Sequence, residues 1–215
     1  MRYLFLLFGC LLLGSVVSAQ VGITGFYNLN EARMVGENAD PVNNELDYAN
    51  GPEIALNYWF RLPKNRIEFQ PTVYYARSGE RYGWNEAGFQ FKTNIYLFDL
   101  GTDCDCPTFG KQGPQLEKGF FLQLSPGVSR HWLSTAAENL SGKTAFTLGA
   151  GIGIDFGISN LITLTPIAAL RYTATDFTDM IFLNRDGLEV SGIRGALTAY
   201  QLGIQATFRF DKKRY

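Results

Sequence analysis

TAFTLGAGIGIDFGISNLITLTPIAALRYTAT, residues 144–175, alternates apolar side chains with small or polar ones along most of its length. Every second residue from Phe146 to Phe156 is apolar, and the residues between them are small or polar. Successive side chains of a strand point to opposite faces of the sheet, so a period of two predicts a strand. After a break at residues 157–160, the alternation restarts at Ile162. We therefore predict a hairpin of two long strands joined by a tight turn.

The composition is typical of a β domain rich in glycine and aromatic residues. The chain has 215 residues, a net charge of -1, 14% aromatic residues, 23 glycines and one histidine. A charge this balanced argues against a nucleic-acid partner, which would favour a basic excess. The chain has three cysteines, so no disulfide scaffold is predicted. No motif indicates a cofactor.

The first 19 residues read as a secretory signal peptide. Arg2 is followed by an apolar run from Tyr3 to Leu13 and then by small residues up to Ala19, where we expect cleavage. A membrane anchor is the first alternative, but the run is shorter than the roughly 20 apolar residues that a spanning helix needs. A lipoprotein cleaved before Cys10 is the second alternative. It would leave nine mostly apolar residues stranded behind the modified cysteine.

The rest of the chain repeats the alternating unit. An even number of such segments is what a closed up-and-down barrel requires. We therefore predict that residues 20–215 form an all-β domain, a closed eight-stranded antiparallel up-and-down transmembrane β-barrel in the outer membrane. The predicted strands are Val21–Leu29, Glu53–Arg61, Ile67–Arg77, Ala87–Leu100, Gly119–Trp132, Thr144–Phe156, Ile162–Thr175 and Leu197–Phe210.

The connections between these segments alternate in length, which predicts the orientation of the barrel. Outer-membrane barrels have short turns in the periplasm and longer loops outside the cell. The short turns are Leu62–Arg66 and Gly157–Leu161, and the longer loops are Asn30–Pro52, Ser78–Glu86, Leu133–Lys143 and Asp176–Ala196. One periplasmic connection, Gly101–Lys118, is long and holds Cys104 and Cys106. Two thiols are too few ligands for a metal site, and we expect them to be oxidised and dispensable for the barrel.

A soluble barrel of the lipocalin kind is the main structural alternative. If Lys92, Arg171 and Arg209 faced lipid, each would cost up to about 2 to 4 kcal/mol. We therefore expect the charged face to point inward and the apolar face to contact lipid. Opposite charges inside should pair, since unpaired buried charges are costly. The predicted polar network of the lumen comprises Glu68, Lys92, Asp155, Arg171 and Arg209.

Aromatic side chains near the strand ends favour the membrane interpretation over the soluble one, since such rings form girdles at the membrane surface. These residues are Tyr58, Trp59, Phe60, Trp132, Phe208 and Phe210. Pro71, Pro126 and Pro166 count against a regular ladder because proline cannot donate a backbone hydrogen bond. They are expected at bulges, unless the strands end earlier than predicted.

Several segments resemble the PorT-like outer-membrane β-barrel family. IEFQPTVYYARSG, Ile67–Gly79, is similar to the family's signature strand, with Gln-Pro, tyrosine and a closing basic residue and glycine. Later strands are similar in Gly119–Gly127, Phe146–Gly157 and Tyr200–Phe210. The chain departs from the pattern at Thr72, in Phe89–Phe98 and in the insert that carries the two periplasmic cysteines. The resemblance implies the same barrel fold and leaves a role in protein secretion open.

Catalytic chemistry has little support in the sequence. His131 is the single histidine, and Ser125 and Ser129 share its predicted face, so a membrane-embedded acyl hydrolase is one interpretation and an inward polar filler is the other. The glycines of residues 149–153 lie inside a predicted strand, whereas the glycines of a dinucleotide-binding motif form a turn between a strand and a helix. The loop residues Glu37, Asp40, Asn43, Asn44, Glu45 and Asp47 offer oxygen ligands without the spacing of a calcium loop. We expect no enzyme activity and no metal.

Three classes of function remain open at this point. The first is a structural or surface-interaction role carried by Asn30–Pro52 and Asp176–Ala196, since binding residues concentrate on loops held by a rigid scaffold. The second is a small-solute pore, and the third is a secretion component or an enzyme. About eight strands leave room for little more than side chains, so we expect a filled lumen. The expected partners are outer-membrane lipid and lipopolysaccharide, the barrel-assembly machinery, and an unknown protein or surface ligand at the loops.

Overall fold

Eight long strands make up most of the structure, which is a computed structural model. It describes residues 20–35, 45–46, 48–62, 67–79, 83–98, 119–134, 139–140, 142–159, 161–173, 182–183, 189–190 and 194–209. Within these residues no helix is long and apolar enough to cross a membrane. The strands are β1 (Gln20–Val35), β2 (Gly51–Leu62), β3 (Ile67–Ser78), β4 (Gly83–Phe98), β5 (Phe120–Ser134), β6 (Thr144–Ile154), β7 (Ile162–Thr173) and β8 (Arg194–Arg209).

Each strand pairs antiparallel with its neighbours in sequence, and the sheet closes on itself. β8 pairs with β7 from Leu197 to Phe208 and with β1 along its full length. The prediction of a closed, eight-stranded, all-antiparallel barrel is confirmed. Following the predicted orientation, we call the end that holds Gln20 the periplasmic end and the opposite end the external end.

Side chains alternate between the lumen and the outer surface as the sequence predicts. On β6, Phe146 and Leu148 are 55% and 52% exposed, whereas Thr147 between them is fully buried. The same contrast holds on β8, where Leu202 and Ile204 are exposed and Gln201 and Gln205 are buried. The outer wall is therefore apolar and the lumen is polar.

Three strands extend at the external end by three or more residues beyond their predicted bounds. β1 continues to Val35, β4 begins at Gly83, and β8 begins at Arg194. Beyond the apolar belt the outward residues include Glu31 and Arg33, and the inward ones include Ala32, Trp84 and Leu197, so the pattern of apolar outside and polar inside ends while backbone pairing continues. Parts of the predicted loops are therefore strand. Several two-residue strands also pair at this end. Glu45–Leu46 pairs with β1, Asn139–Leu140 pairs with β5, and Phe182–Leu183 pairs with Glu189–Val190.

The three strand prolines are tolerated because each lies at a gap in one ladder only. Pro71 lies in a gap of the β2–β3 ladder, Pro126 in a gap of the β4–β5 ladder and Pro166 in a gap of the β6–β7 ladder. The ladder on the other side of each proline is continuous. A missing N–H disrupts a sheet only on the side it would have faced. The gap at Pro166 also ends β6 at Ile154, before a short continuation at Phe156–Gly157.

Some predictions fall outside the described residues. These are the signal peptide of residues 1–19, the periplasmic cysteines Cys104 and Cys106, and the oxygen-rich residues between 37 and 44 together with Asp47. The side chain of Glu45 is also outside, although its backbone pairs with β1.

Candidate functional site

The candidate site is the lumen, where four of the five predicted network residues lie buried. Glu68, Lys92, Asp155 and Arg171 are between 0% and 5% exposed. The backbone of Arg209 pairs with Gln20 at the end of β8, but its side chain lies outside the described residues. The four side chains do not form one network. Glu68 and Asp155 share one layer through the Tyr96 hydroxyl, whereas Arg171 contacts Glu53 and Glu86 and Lys92 lies over the ring of Phe26.

The arginine cluster lies near the external end and is centred on Arg171 of β7. Arg171 Nη1 donates to Glu53 Oε2 at 2.9 Å, and Nη2 donates to Glu86 Oε2 at 2.8 Å. The guanidinium lies over the ring of Tyr74, 4.4 Å from its centroid, which adds a cation–π contact. Arg171 thus pairs with two carboxylates that the sequence analysis missed, rather than with Glu68 or Asp155.

The same cluster joins six of the eight strands through further hydrogen bonds. Glu53 Oε2 on β2 also accepts from Asn28 of β1 at 2.9 Å and from Gln201 of β8 at 3.0 Å. On the other side, the Tyr74 hydroxyl of β3 donates to Glu86 Oε1 of β4 at 2.6 Å. Hydrogen bonds to buried charged groups are stronger than neutral ones, so the cluster ties the strands together across the lumen.

The sequence held a signal for both missed carboxylates. Glu86 had been assigned to the loop Ser78–Glu86, and Glu53 to the first position of its strand. Both occupy alternate strand positions that face the lumen. Glu53 lies on the same face as Asn57, and Glu86 lies on the same face as Gln90. The alternation within the predicted strand Glu53–Arg61 already places Glu53 in the lumen, and extending the predicted strand Ala87–Leu100 by one residue places Glu86 there.

The carboxylate pair, Glu68 and Asp155, lies toward the periplasmic end. The Tyr96 hydroxyl oxygen is 2.7 Å from Glu68 Oε2 and 2.8 Å from Asp155 Oδ2. Tyrosine has one hydroxyl proton, so it donates to one of these oxygens at a time. Asp155 Oδ1 also accepts from Thr165 at 2.6 Å. The cavity beside these side chains is about 10 Å³, roughly the room of one water molecule.

Trp59 corrects the predicted aromatic girdle. It is 9% exposed and points into the lumen, where its Nε1 donates to Glu68 Oε2 at 2.6 Å. Its neighbour Tyr58 is 39% exposed on the outer wall, as predicted. An indole N–H in lipid would lack a partner, and the buried carboxylate supplies one. The side chain of Phe210 lies outside the described residues.

The ring layer lies between the two charged layers and consists of Phe26, Tyr96, Phe121 and Ile167. The rings of Tyr96 and Phe121 are 5.4 Å apart, and Lys92 Nζ lies 5.0 Å from the centroid of Phe26. A Cβ added at Gly153 would overlap the ring of Phe121, so the absent side chain makes room for this layer.

The external cap closes the lumen above the arginine cluster. Tyr48, from the connection between β1 and β2, stacks on Trp84 with ring centroids 5.2 Å apart. The hydroxyl oxygen of Tyr48 lies 3.2 Å from His131 Nδ1. Ala32, Ala145 and Leu197 complete the cap. Burial raises the pKa of Tyr48 well above its usual value, so the hydroxyl stays protonated at neutral pH.

The connection that carries Tyr48 is fastened at its base. The backbone N–H of Asn30 donates to Asn50 Oδ1 at 2.7 Å, and the side-chain amide of Asn30 donates to the Ala49 carbonyl at 2.8 Å. These bonds hold Tyr48 over the barrel mouth.

Ser129 and His131 do form a hydrogen-bonded pair, with Ser129 Oγ 2.8 Å from His131 Nε2. A nucleophilic triad needs a carboxylate at the other ring nitrogen, whereas here Nδ1 faces the Tyr48 hydroxyl. Both side chains are buried, at 1% and 0% exposure. Ser125 lies further along the lumen, opposite Gly149. The geometry fits an inward polar filler better than a nucleophile.

The described part of the chain contains no set of side chains that could bind a metal ion. No three histidine, cysteine, aspartate or glutamate side chains among these residues lie close enough together to hold an ion. The glycines of residues 149–153 lie within β6, between β5 and β7, and not at a strand-to-helix turn. Gly149 lies beside Ser125, Gly151 beside Ala169 and Gly153 beside Phe121 of the ring layer.

No family model matches the chain, and no curated protein matches it. Membership of the PorT-like family therefore stays a prediction from the sequence.

Solved structures of other barrels resemble the chain in fold. Neisserial surface protein A is 10% identical over 87% of this chain and 96% of its own, with a TM-score of 0.49. Ail, the attachment invasion locus protein of Yersinia pestis, is 11% identical over 89% and 99%, with a TM-score of 0.41. The outer membrane protein OprG from Pseudomonas aeruginosa is 9% identical over 89% and 96%, with a TM-score of 0.45. Identities this low transfer no function, and the fold assignment rests on the strand pairing itself.

Proposed function

We propose that the protein resides in the outer membrane as a barrel that does not conduct ions and that acts through its external face. Its closed sheet pairs every wall strand with a neighbour on both sides, as a membrane-spanning structure requires. Its outer wall carries apolar side chains on all eight strands, and the most exposed reach 61% and 60% at Leu202 and Ile204. A belt of this extent would favour aggregation in water, whereas lipid would cover it.

The proposal that the barrel does not conduct ions rests on one observation, the arginine cluster. Arg171 is 1% exposed and spans the lumen between carboxylates of β2 and β4. The external cap lies above it and the ring layer lies below it. An ion crossing the barrel would have to break buried charged hydrogen bonds, each of which is worth about 1.5 to 3 kcal/mol.

A role at the external face is supported by the length of β1 and β8. About 9 to 11 residues of tilted strand cross a bilayer, whereas β1 and β8 have 16 residues each. They remain paired as far as Val35 and Arg194, so a rigid two-stranded rib extends beyond the apolar belt. A rib of this kind holds the adjoining connections in position for a partner.

We propose no enzyme activity, because Ser129 and His131 are sealed beneath Tyr48. A role in protein secretion has no supporting observation beyond the family resemblance.

Planar-bilayer recording of the purified barrel tests the proposal. We expect no large steady conductance. Stable single-channel currents whose ion selectivity changes in Lys92→Glu would overturn the proposal in favour of a small-solute pore.

The external role is tested by shortening residues 36–44 and 184–188. We expect the shortened protein to fold as a barrel and to fail to complement a deletion strain. Full complementation would contradict a function carried by these connections.

A further inference from the structure

The outer wall of β3, β4 and β5 changes character near the external end. The strand register places Tyr75, Ala87 and Arg130 side by side in one outward row. The next outward row toward the external end holds Arg77, Asn85 and Trp132 in the same way. Arg77 and Arg130 are exposed, and the rings of Tyr75 and Trp132 are 6.2 Å apart. We call these two rows the arginine–aromatic patch.

The height of the patch follows from the apolar residues below it. On β3 the outward residues from Ile67 to Tyr75 are apolar or aromatic, and on β5 the outward residues from Phe120 to Val128 are apolar. Each series spans nine residues. At about 3.3 Å per residue and a tilt of about 40°, nine residues rise roughly 23 Å, close to the apolar band of about 25 Å in such barrels. The next outward residue on each strand is an arginine, which therefore lies at the level of the lipid headgroups.

The patch carries two exposed arginines, Arg77 and Arg130, on one wall of the barrel. On the far wall, Arg33 of β1 lies at the same end, 3.7 Å from Glu31 on its own strand. From the strand spacing, the α-carbons of Arg77 and Arg130 are about 12 Å apart, two strands across and two residues along.

We propose that the arginine–aromatic patch binds the phosphate groups of the phosphorylated glycolipid of the outer leaflet, lipopolysaccharide. Guanidinium groups match phosphate oxygens with paired hydrogen bonds, and they are weakly hydrated enough to work at an interface. The side chains of Tyr75 and Trp132 give the sugar and upper acyl region a flat amphipathic surface. The proposal rests on the outer-membrane placement proposed above, and it goes beyond that placement by naming the lipid and the wall that holds it.

Native mass spectrometry of the purified barrel, titrated with lipid A that carries its phosphates, tests this site. Each basic residue near an anionic membrane surface contributes about 1 kcal/mol, or roughly fivefold in affinity. We expect about fivefold weaker binding in Arg77→Gln and in Arg130→Gln, and about 25-fold weaker binding in the double variant. Arg33→Gln is the matched control, with the same charge change at the same end of the barrel, and should change binding less than twofold.

Two further probes separate the possible sources of binding. Lipid A without phosphates should bind the wild-type barrel about as weakly as phosphorylated lipid A binds the double variant. Equal binding of the two forms of lipid A, or unchanged binding in the double variant, would overturn the proposal. Phosphatidylglycerol bound as tightly as lipid A would overturn the assignment to the outer-leaflet glycolipid.

Two control measurements on the double variant keep this test separate from the proposed function. A gel-shift assay shows whether the barrel is folded, and a conductance recording shows whether it conducts. A folded, non-conducting double variant that retains lipid A refutes the lipid site alone. A conducting wild-type barrel refutes the proposed function alone.

Discussion

Replacing Arg171 with methionine should destabilise the barrel more than any other single change to its charged residues. Methionine keeps most of the side-chain volume but leaves Glu53 and Glu86 buried without their cation. Removing one partner of a buried ion pair costs about 3 to 5 kcal/mol, because the remaining charge is uncompensated. Whole domains are stable by about 5 to 15 kcal/mol, so the loss is a large share of the total.

The measurement is urea unfolding in lipid vesicles, followed by tryptophan fluorescence. With a urea dependence of about 2 kcal/mol per molar, a loss of about 4 kcal/mol lowers the midpoint by about 2 M. The control is Arg33→Met, whose side chain is 64% exposed in a surface pair with Glu31. An exposed pair contributes about 0 to 1 kcal/mol, so the control midpoint should shift by less than about 0.5 M.

A triple variant tests the physical reason. Arg171→Met combined with Glu53→Gln and Glu86→Gln removes all three charges, and neutral replacement of a buried ion group is often nearly harmless. We expect the triple variant to recover most of the lost stability. A single variant as stable as the wild type, or a triple variant as unstable as the single one, would refute the reasoning.

Three further predictions test other parts of the lumen. In variants that keep only Trp59 or only Trp132, lipids brominated at the headgroup end of their acyl chains should quench the fluorescence of Trp132 and spare that of Trp59; quenching of Trp59 would show that it faces lipid after all. Gly153→Val should lower stability by about 1 to 3 kcal/mol through overlap with Phe121, and a second change, Phe121→Ala, should restore part of it in urea unfolding. Tyr48→Ala should speed proteolytic cleavage within residues 36–50 while the barrel resists the protease; an unchanged cleavage rate would mean that the external cap does not hold this connection.

The fold, and the side of the wall on which most residues lie, could be predicted from the sequence alone. Alternation of period two is a local property, because neighbouring strand residues must point to opposite faces. The cost of a charge in lipid then assigned the polar series, such as Glu68 and Lys92, to the lumen. The same alternation predicts that Trp59 faces the lumen, because it lies two residues from Asn57 on the same face of the strand. The girdle prediction was wrong at Trp59 because the aromatic residues Tyr58 and Phe60 flank it in the sequence.

Which charges meet across the lumen could not be predicted without the folded barrel. Arg171 is 118 residues from Glu53 and 85 residues from Glu86, and β7 is not adjacent to either of their strands. Contacts across the lumen depend on strand tilt, on the stagger of the closed sheet and on side-chain length, none of which is encoded in a local period. The outer ends of β1, β4 and β8 were also decided by the structure. Beyond the lipid the outward residues include Glu31, Arg33 and Asn85, and the inward ones belong to the apolar external cap. Backbone pairing continues there without the contrast of apolar outside and polar inside that makes these strands visible in sequence.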